Sequence, residues 1–110
     1  MRILDLGTAE LHPVHRFDSN GFMIGKITAA AGPTRISQLR LAPGGVVGRH
    51  PAVQDQLLIP LQGDALVTGS DGAQSSIAPG RAAAWTDGEQ HETRTTAGLW
   101  ALVVEGPLDL

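Results

Sequence analysis

Residues 57–98 read LLIPLQGDALVTGSDGAQSSIAPGRAAAWTDGEQHETRTTAG. Short apolar runs alternate there with turn-forming clusters at Gln62-Gly63-Asp64, Ser70-Asp71-Gly72, Pro79-Gly80, Asp87-Gly88 and Ala97-Gly98. Turns at about ten-residue spacing are the mark of antiparallel sandwiches and barrels. Ser70-Asp71-Gly72 is the clearest hairpin, because Asp-Gly accepts the positive backbone angles of a tight primed turn. Working outward, alternation and turn signals predict strands over 21–29, 34–41, 54–61, 65–68, 75–77, 82–85, 91–95 and 99–104. Ala31-Gly32-Pro33 and Pro43-Gly44-Gly45 separate the earlier ones. Helical periodicity is nearly absent: one turn after Thr8, stopped by Pro13, is the best candidate. The expectation is therefore an all-β chain, a single domain over 1–110 with an N-terminal extension of about 1–20.

Composition narrows the function classes. With 42% hydrophobic and 17% charged residues, neither disorder nor a charge-rich coiled coil fits. A formal net charge of -3 and the lack of any basic run remove the electrostatic footprint that phosphate backbones require, so nucleic acid is not an expected partner. The chain has no cysteine, which excludes disulfides, thiolate metal sites and thiol nucleophiles together. An acid within the first residues, Asp5, and the absence of any long apolar window predict a cytoplasmic protein without a membrane partner. Leu57-Leu58-Ile59-Pro60-Leu61 and Leu99-Trp100-Ala101-Leu102-Val103-Val104 are apolar on both faces of a strand. Both faces must then be covered, and a second copy of the chain, a homodimer, is the expected cover for the outer one, the alternative being the N-terminal segment folded back over it.

Four histidines are present. His12 and His15 flank Pro13, which breaks the helix that would align them, and they read as solvated loop residues. His50 and His91 are different, because each follows a glycine-rich turn and each is expected where a strand begins. Strand starts around a barrel mouth converge in space.

On these residues the segment 44–95 resembles the two signature motifs of the cupin superfamily. Gly44, His50, Ala52, Gln56 and Gly63 stand at the intervals of the first motif, which carries Gly, His, His, Glu and Gly. Gly80, Thr86, Gly88, His91 and Thr95 stand at the intervals of the second, which carries Gly, Pro, Gly, His and Asn. The resemblance implies a jelly-roll β-barrel with a divalent transition metal, such as zinc, iron, manganese or nickel, held by three histidines and a glutamate. This chain keeps His50 and His91, has Ala52 for the middle histidine, and offers the neutral amide Gln56 for the acid. The implied metal set is thus His50, Gln56 and His91, a weaker one than the family's.

In one extended strand, residues 50, 52, 54 and 56 share a face, so His50, Ala52, Gln54 and Gln56 are expected to look inward and Asp55 outward. Trp85 is the aromatic candidate for the pocket, with Trp100 second, and Glu89 is the acid in the turn before His91. Glu92 lies on the opposite strand face from His91. Gln54, Trp85 and Glu89 are therefore the expected ligand-binding residues. Arg40 and Arg49 read as solvated strand charges. A neutral Gln56 cannot be a general base, so proton transfer would fall to a histidine, to Glu89 or to metal-bound water. Two functions follow: a small-molecule site with a weakly held metal, open to catalysis, or a metal-free binding or sensory module. Neither names a reaction. Ala52→His combined with Gln56→Glu supplies the two missing donors, and zinc titration is expected to report a clear gain in affinity. No gain would mean that the spacing has been misread.

Overall fold

The structure, a computed structural model describing residues 1–110, contains eleven β-strands and no helix. They are β1 (Arg2–Asp5), β2 (His12–Val14), β3 (Phe22–Ile24), β4 (Arg35–Leu41), β5 (Val46–Pro51), β6 (Asp55–Gly63), β7 (Ala65–Thr68), β8 (Gln74–Ile77), β9 (Arg81–Trp85), β10 (Gln90–Arg94) and β11 (Leu99–Gly106). The turn after Thr8 stays non-helical, and Thr8 instead donates its hydroxyl to the Asp5 carbonyl. Only 22–24 of the predicted 21–29 strand pairs, as a small hairpin with β2. His12 and His15 are exposed, His12 in that hairpin.

Two antiparallel sheets face each other in a jelly-roll arrangement. One has the order β1-β9-β6-β11-β4 and the other β5-β10-β7-β8. The start of the chain is no mere extension: β1 pairs along β9, with Ile3 opposite Ala83, and Met1 and Ile3 pack on the core. Between the sheets lie Leu58, Ala65, Val67, Ile77, Ala83, Trp85, Leu99, Ala101 and Val103. Alternation selects them, since Leu99, Ala101 and Val103 share one face of β11. Trp85 is the largest fully buried side chain, and its indole N–H donates to the Thr68 carbonyl across the sheets at 3.1 Å.

The outer face of the longer sheet explains the doubly apolar strands. Leu57, Ala82 and Ala84 are buried there against Leu4, Leu6, Ile59, Val104, Leu108 and Leu110. Much of the cover expected from a second copy is therefore supplied by the chain itself. The C-terminal tail is pinned across the sheet by Asp109 N–H to Ala29 O, Ala31 N–H to Pro107 O, and Leu108 N–H to Asp55 Oδ2. Ile36 and Leu61 remain exposed on this side of the molecule.

Gly63 ends the first motif at φ +89°, and a Cβ there would overlap the Gly98 backbone. Gly72, in the Asp-Gly hairpin, has φ +77° but open space around it. Gly72→Ala is expected to cost about 1–2 kcal/mol through the backbone alone. Gly63→Ala is expected to cost more, because the backbone strain is joined by a collision with a neighbouring main chain. Urea denaturation of the two variants checks this, and equal losses would contradict the close approach.

Candidate functional site

β5 and β10 run antiparallel, so His50, next to the last residue of β5 rather than at a strand start, is the direct register partner of His91 at the start of β10. Opposite residues of a paired ladder show their side chains on the same face, which is how positions remote along the chain meet. The ring centroids are 4.4 Å apart and tilted by 50°. Trp85 stands behind His91 at 4.7 Å, so Trp85, His91 and His50 form a graded series from the core to the surface. His91 is buried whereas His50 is exposed.

The register slips between His91 and Thr93, where β5 has one residue more than β10. This bulge falls at Gly48-Arg49, and the Gly48 carbonyl accepts a hydrogen bond from His50 Nδ1 at 2.7 Å. His91 Nδ1 likewise meets the Glu89 carbonyl at 3.2 Å. A carbonyl can only accept, so Nδ1 carries the proton in each neutral ring and Nε2 keeps its lone pair. The two rings are thereby held as a pair of acceptors.

A cavity of about 430 Å³ opens beside them, lined by His50, Gln56, Trp85, His91, Thr93 and Glu105 among others. One wall is the edge strand β4 from Ser37 to Leu41. Of the residues read from the sequence, His50, Gln56, Trp85 and His91 come together here. Gln54 does not, because β5 ends at Pro51 and β6 begins at Asp55, so the straight strand that would have kept parity is interrupted by a turn. Gln54 is exposed in a separate groove with Pro33, Thr34, Arg35, Val53 and Glu105. Ala52 is buried in the same turn, where its N–H donates to Glu89 O and its carbonyl accepts from Gly88 N–H.

Glu89 is also absent from the cavity lining. Its carboxylate pairs with the amino group of Met1 and accepts from Thr86 N–H and Ser70 N–H. Burial alone would raise its pKa, but the amino group and these N–H donors outweigh it and hold the carboxyl below its ordinary 4.5. A carboxylate so engaged serves as a tether between chain start and turn. Asp55 is similarly structural, accepting Asp87 N–H and Leu108 N–H. Glu92 pairs with Arg94. Arg49 donates to the Gly69 and Ser70 carbonyls, and Arg40 stacks over Trp100 at 4.7 Å. Trp100 lies outside the histidine cavity, bonded to Gln38.

The arrangement also tests the implied metal. Two imidazoles with free Nε2 atoms and one amide line the cavity, yet no group of three or more His, Cys, Asp or Glu side chains converges anywhere in the molecule. The set does not fit a tightly held metal of the four-donor kind. Sequence reading missed Thr93 and Glu105 as lining residues. Glu105 continues the inward series Leu99, Ala101, Val103, a signal lost because the strand was ended at Val104.

No protein-family model matches the chain and no curated protein does. Solved structures do. A cupin superfamily protein from Desulfitobacterium hafniense matches at 21% identity and TM-score 0.62, over 72% of this chain and 74% of that one. A protein of unknown function from Rhizobium leguminosarum matches at 28% identity and TM-score 0.63, over 72% and 75%. The DMSP lyase DddQ from Ruegeria pomeroyi matches at 20% identity and TM-score 0.62, over 66% of this chain and 38% of that one. The likeness is one of fold.

Burial first, and the neighbouring His50 as well, push His91 below its ordinary 6.5 despite the opposing pull of the Glu89 carbonyl. Between 6.5 and that lower value the unfolded chain binds a proton that the folded chain refuses. Stability is thus complete above this window and declines as pH falls through it. The Glu89 contribution has the same direction but sits at more acidic pH, below 4.5. Urea midpoints measured from neutral to mildly acidic pH are expected to show the decline in the parent chain and a flatter profile in His91→Gln. Identical profiles would contradict the assignment.

Proposed function

We propose that this chain, whose fold is that of the cupin superfamily, binds a small polar molecule in the cavity between its sheets. The observation that carries the reading is the His50–His91 pair, whose Nδ1 atoms are taken by backbone carbonyls and whose Nε2 atoms are left as acceptors beside the cavity. Gln56 adds an amide that both donates and accepts, and Trp85 fixes the position of His91 from behind. Such a site orients a ligand by a few placed polar groups against an apolar wall. Binding requires no proton transfer, and no residue is assigned to a catalytic step.

A second reading places a weakly held divalent ion, zinc, iron, manganese or nickel, on His50, His91 and Gln56. The carbonyl-anchored Nδ1 atoms favour it, because imidazole ligands to metals are oriented by such bonds. Against it stands that Glu105, the one carboxylate of the cavity, does not converge with the two histidines into a three-donor group.

We also propose a homodimer. Phe17, Met23 and Ile24 of the β2–β3 arm are 87%, 54% and 55% exposed, and Ile36 on the outer sheet is 68% exposed, more apolar surface than an isolated two-stranded hairpin can justify. Sedimentation at micromolar concentration is expected to give twice the chain mass, and a monomer would reject the proposal.

Thermal-shift screening of untagged protein with small polar metabolites decides between the two site readings. The expected outcome is a stabilisation that survives EDTA and is lost in His91→Gln. Stabilisation that appears only with added metal would select the second reading.

A further inference from the structure

Five acidic residues are half-buried: Asp55, Asp64, Glu89, Glu92 and Glu105. Four of them have partners. Asp55 accepts from two backbone N–H groups, Asp64 from Thr95, Glu89 from the Met1 amino group, and Glu92 from Arg94. The Glu105 side chain alone makes no hydrogen bond and no ion pair, and its carboxylate oxygens keep contact with solvent. A carboxylate without a protein partner is open to a charge-assisted contact from a cation or donor that reaches it.

Its position is set by register. Glu105 of β11 pairs with Gln56 of β6, which pairs in turn with Trp85 of β9, so these residues form one row across the sheet. Leu99, Ala101 and Val103 of the same strand face the core, and the alternation carries Glu105 to the same side. It lines the cavity together with His50, Gln56 and His91. Arg35 is its register partner on the other flank, but no ion pair joins them. Arg40 also lines the cavity, but its guanidinium is stacked over Trp100, which lies outside it. Glu105 is thus the one acid among the lining residues, and the one guanidinium, that of Arg40, is engaged on Trp100.

We propose that Glu105 is the charge-selecting residue of the cavity, and that the ligand it takes is a small molecule carrying an ammonium group beside hydroxyl donors. This rests on the cavity being a small-molecule site, and it adds the chemical class of the ligand. The ammonium sits against Glu105, while hydroxyl donors reach His50 Nε2, His91 Nε2 and the Gln56 carbonyl oxygen. An anionic ligand meets both a carboxylate and imidazole lone pairs and is rejected.

Three probes with one carbon skeleton test the proposal: serinol, glycerol and glycerate, which carry a positive, a zero and a negative charge. Each is titrated in EDTA into isotopically labelled protein, following the backbone amides of His91, Thr93 and Glu105 by NMR. Serinol is expected to bind most tightly and glycerate least. Glu105→Gln is expected to weaken serinol about tenfold, the loss of one ionic charge-assisted contact, and to weaken glycerol by a smaller factor, so that the preference for serinol shrinks. Glu105→Asp keeps the charge and is expected to retain part of the preference. Glycerate binding as well as serinol, or an unchanged preference in Glu105→Gln, overturns the charge assignment while leaving the cavity a binding site. If none of the three moves these amides in the parent protein, the small-molecule reading falls and the charge assignment with it.

Discussion

Pairing of His50 with His91 across β5 and β10 is the contact on which the site depends, because every other feature of the cavity is placed relative to it. Each ring is oriented by a main-chain carbonyl, and His91 is further wedged against Trp85. Trp85 in turn is tied by its indole N–H to β7 of the facing sheet. The imidazoles are thus connected to both sheets, and a shift in sheet packing would be felt at the imidazole nitrogens. Holding rings by backbone bonds also costs no additional side chain, which leaves Gln56 and Glu105 free to face the cavity.

The surrounding turns act as a frame for that pair. Ala52 and the 86–89 turn are zipped by two main-chain hydrogen bonds, which bring the end of β5 next to the start of β10. Glu89 closes the same corner by holding the chain start, and Asp55 joins it to the C-terminal tail. The carboxylates of Glu89 and Asp55 are consumed in this framework. The cavity is left with neutral donors and with Glu105, which sits in the row of Gln56 rather than beside the histidines in sequence.

Much of this was legible in the chain. Glycines at fixed intervals and short alternating runs pointed to antiparallel β architecture, and the spacing of His50 and His91 pointed to convergence. Both are local properties: turn chemistry is decided by backbone angles, and alternation by the pleat. The reading failed where strand continuity was assumed. Gln54 left the histidine face because a turn separates β5 from β6, and Glu105 was overlooked because a strand was ended one residue before it. The doubly apolar strands were interpreted as a demand for a partner, whereas Leu108, Leu110 and Leu6 meet part of it from within the chain.

By itself, the amino-acid sequence determined the class of fold, the two imidazoles, and the replacement of two motif donors by Ala52 and Gln56, since these follow from residue type and short-range geometry. Tertiary structure decided which acids are spoken for and which one is left facing the cavity. That outcome depends on strand register and on partners as distant as Met1 from Glu89 or Asp55 from Leu108. Long-range pairing of this kind is fixed by packing of the whole sheet and has no local signature.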